Sequence, residues 1–500
     1  MADKFSDTIP LGEWLPDKSD AGSGGATIAL NVLTDGEDYI PKASFSQFGV
    51  ADGQRPLGGY THLASNGTVT NFRGTRTGLQ RLDSSGAWVD VTRTTGGSYV
   101  TPVDGSWHFW QYGDRVIATN YVDDVQTYLV NTDTKFSKLI TTGPNVKARV
   151  GAIINNFNVM GDVFDDIGQN PNRIRWSPIN NPAGNYTPSQ STQSDYQFCE
   201  DGTPGPCMAI VGGQNYGVII FKNAIYRMEY VGPPAVFKFS LMQQNIGAIN
   251  DNAVASDGSF TFFRGENGFY LFDGVNAKPI GDGKVDEFFK TMASSTYLYN
   301  MRSTADPRNK CVLFSFTSNA ATNGTNDYTL IYNYTDDRWT LAEESVAMLM
   351  RGFTQGFTLE QIGALFPNLE TVPYSFDSRY WQGGLTTLTG ITTDGALGYY
   401  TGTPMVGTVE SQEVRLNNDG TAYVDSVTPV FEGGSAQMRL GSRMNQNAAI
   451  VYTPYQAQSP DTEEVNFRVD SRYHRVGVQL SGDWQRVRGV RIKTQNSGYM

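Results

Sequence analysis

Any metal or nucleophilic chemistry in this 500-residue chain must pass through few side chains: His62, His108 and His474, and Cys199, Cys207 and Cys311. A zinc site needs imidazole or thiolate ligands at close spacing, and neither HExxH nor CxxC occurs. A Ser-His-Asp triad would need one of the three histidines, and no G-x-S-x-G elbow is present. Each histidine is therefore expected as a hydrogen-bonded strand or loop residue. Cys199 and Cys207 flank a Gly/Pro loop and could pair under oxidising conditions, with unpaired thiols the expected state. A G-x-x-x-x-G-K-[ST] phosphate loop is absent, and Gly22-Ser23-Gly24-Gly25 reads as a flexible connector. No cofactor and no metal are expected.

Charged residues carry more information. The runs Asp162-Val163-Phe164-Asp165-Asp166 and Asp123-Asp124 could offer oxygens to Ca²⁺. They lack the EF-hand spacing and its bidentate Glu, so solvated turns are expected. The chain is acidic, with a formal net charge of −12. It should therefore repel nucleic acid and anionic lipid. Residues 436–500 reverse the trend, with nine Lys/Arg against five Asp/Glu. There Phe467, Val469 and Tyr473 alternate with Arg468, Arg472 and Arg475, which puts basic side chains on a recurring face. Arg439, Arg443, Arg472, Arg475, Arg486 and Arg488 form the candidate assembly interface. The alternative is the solvated face of a small sandwich.

The elements that must position these residues are strands. Gly numbers 54, aromatics make up 12% and charged residues only 18%, a mix that favours strands and turns over bundles or disorder. Strand pairs recur at 67–91, 115–136, 217–230, 258–274 and 310–339. The second strand often ends in Asp or Asn, a polar turn and an aromatic. Leu82-Asp83 leads to Trp88, Val130-Asn131 to Phe136, and Tyr332-Asn333 to Trp339, while Leu271-Phe272-Asp273-Gly274 shares the start. The markers at 83, 131, 273 and 333 fit a unit of roughly 45–60 residues, the period of a four-stranded propeller blade. The expected fold is all-β: a β-propeller of about six blades, within a range of five to seven, plus a smaller β-sandwich or platform. Residues 1–55 are expected to join the platform, 56–404 to form the propeller with a short helical insertion near 357–366, and 405–500 to form the platform. Trp176, Trp339 and Trp381 are expected as core or blade-closing residues. No apolar run is long enough to span a membrane, and the first residues lack a signal-peptide core, so synthesis in a cytosol is expected.

Several stretches resemble the tail hub or nozzle proteins of short-tailed bacteriophages, also called packaged-DNA stabilisation proteins. They are Leu15-Pro16-Asp17 with Ala29-Leu30-Asn31-Val32 and Tyr39-Ile40-Pro41, and Pro171-Asn172-Arg173-Ile174-Arg175-Trp176-Ser177 with Asp195-Tyr196-Gln197. Next come Ile225 to Gly232 with Phe237-Lys238-Phe239, and Gly268-Phe269-Tyr270 with Asp273-Gly274. Asp377 to Gly384 and Ser471-Arg472-Tyr473-His474-Arg475-Val476, with Trp484 and Gly489-Val490, complete the order. Ser471 stands where that family commonly carries Gly.

The resemblance implies a non-enzymatic virion protein, made in the bacterial host cytoplasm. It would form a homo-hexameric tail nozzle below the portal-adaptor ring. Tail fibre, spike or plug proteins would be its other partners. Double-stranded DNA would pass through the lumen without sequence-specific binding, retained in the particle until ejection, and nothing would insert in a membrane. The competing expectation is a propeller glycosidase or carbohydrate-binding protein acting on bacterial surface polysaccharide. Its Asp-box repeats are not intact, the nearest being Asp83-Ser84-Ser85-Gly86-Ala87-Trp88.

Overall fold

Alternating apolar residues punctuated by Asp/Asn turns become short antiparallel strands in the computed structural model, which describes residues 5–19, 24–354, 356, 362–363, 368, 370, 384–418 and 420–499. The recurrent marker has a local cause. Asp83 Oδ1 accepts from the backbone N–H of Ser85 and Ala87, both at 2.9 Å. Asp273 accepts from Val275 and Asn276, and Asn333 from Thr335 and Asp336. Each carboxylate or amide thus closes the turn between a blade's third and fourth strands. The aromatic that follows folds inward, and Phe136 and Trp339 are buried.

These turns organise seven sheets, each in simple up-and-down order. Blade 1 runs from Gly58–Leu63 to Trp88–Asp90, blade 2 from His108–Tyr112 to Ser137–Lys138, and blade 3 from Lys147–Ile154 to Asp195–Phe198. Blade 4 spans Cys207–Val211 to Val236–Gln244, blade 5 Val254–Ser256 to Ala277–Pro279, and blade 6 Arg302–Asp306 to Arg338–Val346. Blade 7 takes Met348–Phe353, Thr386–Ile391 and Leu397–Tyr399, and borrows its outermost strand, Ser46–Gln47, from the N-terminal segment. The innermost strand of blade 7 packs beside that of blade 1, so the ring closes. The count is seven, at the top of the expected range. The seventh was hard to see because its last strand lies some 350 residues from the third.

Glycine abundance reflects blade packing as well as turns. A Cβ on Gly58 or Gly74 would meet Trp107 at 2.3 Å. Trp107 is buried between blades 1 and 2, with its Nε1 donating to the Thr75 carbonyl at 2.8 Å.

The platform is a sandwich built from both ends of the chain. One sheet carries Val32–Asp35, Asp38–Pro41, Arg486–Tyr499, Gly420–Glu432 and Val465–Ser471, with Phe5–Pro10 also paired to Arg486–Tyr499. The other continues blade 6. Its outer strand Arg338–Val346 meets Ala26–Leu30 through Leu30 and Leu341, and Gly407–Ser411, Tyr473–Ser481 and Ser435–Arg443 follow. Propeller and platform therefore share one hydrogen-bonded ten-stranded sheet. A single apolar core runs from Phe269, Phe314 and Trp339 of blades 5 and 6 to Met438, Val478, Val490 and Trp484 of the platform.

One α-helix is described over its whole length, Asp286–Met292. It lies outside the one helix expected from the sequence. Val285 at its N-cap offers no side-chain bond; Asp17 supplies the cap instead, accepting from the N–H of Glu287 at 2.9 Å and Phe288 at 2.7 Å. Most of the helix expected near 357–366 lies outside the described residues, though Ile362 and Gly363 within it are helical, and Trp381 lies outside them. Trp176 is buried, as expected for a core residue.

Of the acids in the run at 162–166, only Asp166 is the solvated turn residue expected. Asp162 is 1% exposed and the Asp165 side chain 0%, and arginines hold both. Asp162, with φ 50°, sits at a register irregularity where it alone faces residues 171–173, so the extra residues lie on the next strand. Asp165 receives the guanidinium groups of Arg173 and Arg175, two residues apart on the facing strand. Arg175 also reaches Asp166 at 3.0 Å. Among the described residues no group of His, Cys, Asp or Glu is placed to hold a metal ion.

Candidate functional site

Two charged clusters are built from separated parts of the chain. The first crosses the propeller axis. Innermost strands start on one face of the ring, and there His108 of blade 2 meets Asp251, in the loop leading into blade 5, with Nε2 and Oδ2 3.2 Å apart. Asn252 donates to Ser106 Oγ at 2.7 Å, and its carbonyl accepts from Ser303 of blade 6. Blades 2 and 5 are not neighbours in a ring of seven, so these bonds brace it across the middle. Arg149 of blade 3 donates to Asp162 at 2.7 Å and lies 3.8 Å from Asp251, with its guanidinium over the Tyr121 ring. Tyr121 donates to the other oxygen of Asp162 at 2.8 Å. Burial alone would raise the Asp251 pKa, but the His108, Arg149 and Arg302 charges outweigh it and hold the carboxyl below its ordinary range.

Beside this brace lies a cavity of about 490 Å³, lined by Tyr60, His108, Phe109, Val150, Gly151, Ala209 to Gly212, Asp251 and Val254 to Ser256. Tyr60 and Phe109 stack with ring centroids 6.1 Å apart and planes 14° from parallel. Tyr60 donates to Gln111 at 3.0 Å. Of these residues, His108 and Asp162 stand out in the sequence, whereas Asp251, Arg149, Tyr60 and Tyr121 do not. The polar run Asn250-Asp251-Asn252 just before a strand was the signal that could have pointed there.

The second cluster holds three of the six predicted arginines. Arg439 and Arg443 alternate along one strand, and Arg475 lies opposite Gly441 between them, so all three share a face with Glu410 of the next strand. The other face, with Met438, Leu440, Val476 and Val478, is core. Glu410 is 1% exposed. It accepts from Arg439 Nη2 at 2.6 Å, from Tyr452 OH at 2.7 Å and from Thr27 Oγ1 at 3.3 Å, with Arg475 Nη1 at 3.7 Å. Arg439 is sandwiched against Tyr452 and Tyr455. Arg443 donates to Glu413 at 2.9 Å. Arg472 is half-buried at the head of the strand Tyr473–Ser481.

Arg486 and Arg488 lie in the other platform sheet. Arg486 donates to Asp38 at 2.7 Å and Arg488 reaches Glu432 at 2.8 Å. The six arginines thus divide between two sheets, and Arg439, Arg443, Arg475, Arg486 and Arg488 face carboxylates of their own chain. Sequence alternation found the faces but not the distant acids that meet them.

His62 and His474 are buried strand histidines. His62 Nε2 lies 3.1 Å from the Gly113 carbonyl, and His474 Nε2 lies 3.0 Å from that of Ser471. Burial lowers the pKa of both. All three cysteines are free and buried, and burial pushes Cys199 up to about 12.

No family model matches the chain, and no curated protein does. Among solved structures, it is similar to the computationally designed protein Ika8 at 9% identity, covering 72% of this chain and 99% of that one, with a TM-score of 0.34. It is also similar to the extracellular domain of a putative one component system from B. thetaiotaomicron, at 9% identity over 82% of this chain and 47% of that one, TM-score 0.41. A third is virginiamycin B lyase from Staphylococcus aureus, at 10% identity over 71% and 99%, TM-score 0.38. These values assign no activity, and the seven sheets themselves define the fold.

Proposed function

We propose that the chain is a structural subunit of the tail nozzle of a short-tailed bacteriophage, forming a homo-hexamer below the portal-adaptor ring and lining the path of packaged DNA. The observation that carries the reading is the ten-stranded sheet running from blade 6 through Ala26–Leu30 into the platform. Force applied to the platform would pass into a closed ring through backbone hydrogen bonds rather than through a linker, which suits a wall under load. The ordered motifs add support, because several do structural work. Asp17 of Leu15-Pro16-Asp17 caps the helix Asp286–Met292 between blades 5 and 6, and Arg173 and Arg175 clamp the blade 3 turn. The acidic body would let a DNA duplex slide.

Immuno-electron microscopy of source virions with an antibody to the recombinant chain tests the reading. Label confined to the tail stub is expected; unlabelled particles, with the epitope shown to be accessible, would overturn it. For docking to the adaptor ring, Arg488 is the better probe than Arg475, because its side chain is 54% exposed and Arg475 serves Glu410. Arg488→Gln should lower tail assembly while leaving the melting temperature nearly unchanged. The glycosidase reading would use the axial cavity, and release of reducing ends from capsular polysaccharide by the purified chain would favour it.

A further inference from the structure

The axial cavity has both room for a ligand and side chains able to hold one. We propose that it binds a neutral saccharide unit, with Tyr60 and Phe109 packing against the sugar's C–H face and His108 and Asp251 bonding its hydroxyls. Its volume of about 490 Å³ suits one or two sugar rings. The lining is divided as a sugar is divided. Val150, Val254 and the stacked aromatic pair form an apolar wall, while the side chains of His108 and Asp251 keep 19% and 17% of their surface exposed.

Charge selects against other ligand classes. Asp251 already faces the Arg149 guanidinium at 3.8 Å, which would repel an incoming cation. An incoming anion would meet the Asp251 carboxylate. Hydroxyls suit the site, because a carboxylate accepts from more than one donor and the imidazole has a second nitrogen. The buried Nε2, 3.2 Å from Asp251, itself has no hydrogen-bond partner among the described residues.

Saturation-transfer NMR on the full chain with glucose, galactose, rhamnose, N-acetylglucosamine and their disaccharides is the test, with glucuronate and glucosamine as charged controls. Transfer to the ring protons of at least one neutral sugar is expected, with affinity falling at least tenfold in Tyr60→Ala and in His108→Gln. Arg488→Gln, in the platform, should leave it unchanged. His108→Gln conserves polarity and approximate size, and melting curves on each variant separate a lost contact from a lost fold. Absence of transfer to every neutral sugar would overturn the proposal. So would binding that is equal in wild type and both cavity variants, or a preference for the charged controls. Sugar binding and particle labelling can succeed or fail independently, so neither result decides the other.

Discussion

Glu410 of the platform and Asp251 of the propeller axis solve one problem in two ways. Each is a carboxylate gathering cations from strands far apart in sequence. Glu410 is sealed, with Arg439 stacked under Tyr452 and Tyr455 and Thr27 of the N-terminal segment closing one side. Asp251 sits beside an open cavity and spends its bonds across the ring rather than between neighbours. A buried ion pair costs desolvation and so adds little net stability, yet it strongly penalises loss of one partner. The sealed cluster should therefore act as a lock between the chain's two ends, and the open one as a brace that leaves polar atoms available.

The largest effect should come from breaking the lock. Glu410→Gln leaves Arg439 and Arg475 without their shared charge and should cost about 3 kcal/mol, read as a lower urea midpoint. An effect no larger than that of a surface substitution would mean the cluster is wetter than its 1% exposure implies.

Asp251→Asn should cost less, about 1–2 kcal/mol, because its partners stay in contact with solvent. Its pH signature is distinctive. Since the folded pKa of Asp251 lies below the unfolded value, its contribution is present above the ordinary carboxylate range near 4 and fades as pH falls through the folded value. Urea midpoints measured from pH 6 to 3 should fall less steeply below pH 4 in Asp251→Asn than in wild type. Parallel curves would remove Asp251 from the brace.

What the sequence revealed and what it hid follow the same division between local and distant partners. The hairpins of blades 1, 5 and 6 were legible because their Asx turns are set by residues two or three apart, as at Asp83, Asp273 and Asn333. Blade 3 lacks the marker because 18 residues, 177–194, separate its third and fourth strands, and blade 7 borrows a strand from residue 46. The basic face of the platform was legible from alternation alone. Glu410, which gives that face its meaning, lies 29 residues from Arg439 and in another strand. The axial cluster draws on four blades, and no period or spacing joins His108, Arg149, Asp251 and Ser303.

Asp17 lies between the two clusters in kind: a carboxylate reaching 270 residues, but onto backbone rather than onto a cation. Asp17→Ala should cost about 1 kcal/mol by exposing two N–H groups of the helix Asp286–Met292. Asp17→Asn should restore part of it. Equal loss in both variants would mean that negative charge at the helix start, rather than the acceptor, is what matters.

The smallest effect compares the regions through their buried histidines. His62 belongs to the propeller and His474 to the platform, and in both burial holds the folded pKa below the unfolded value near 6.5. Each therefore contributes stability that is complete above that pH and lost as pH falls toward the folded value, because the unfolded chain takes up a proton that the folded one resists. Wild-type stability should decline from pH 7 to 5, well before Asp251 titrates. His62→Gln and His474→Gln should each flatten that decline by less than about 1 kcal/mol. If propeller and platform unfold together, as their shared sheet and core require, either substitution should shift the same single transition. Two transitions, one moved by His62→Gln and the other by His474→Gln, would show that the strand Ala26–Leu30 joins two separately melting bodies.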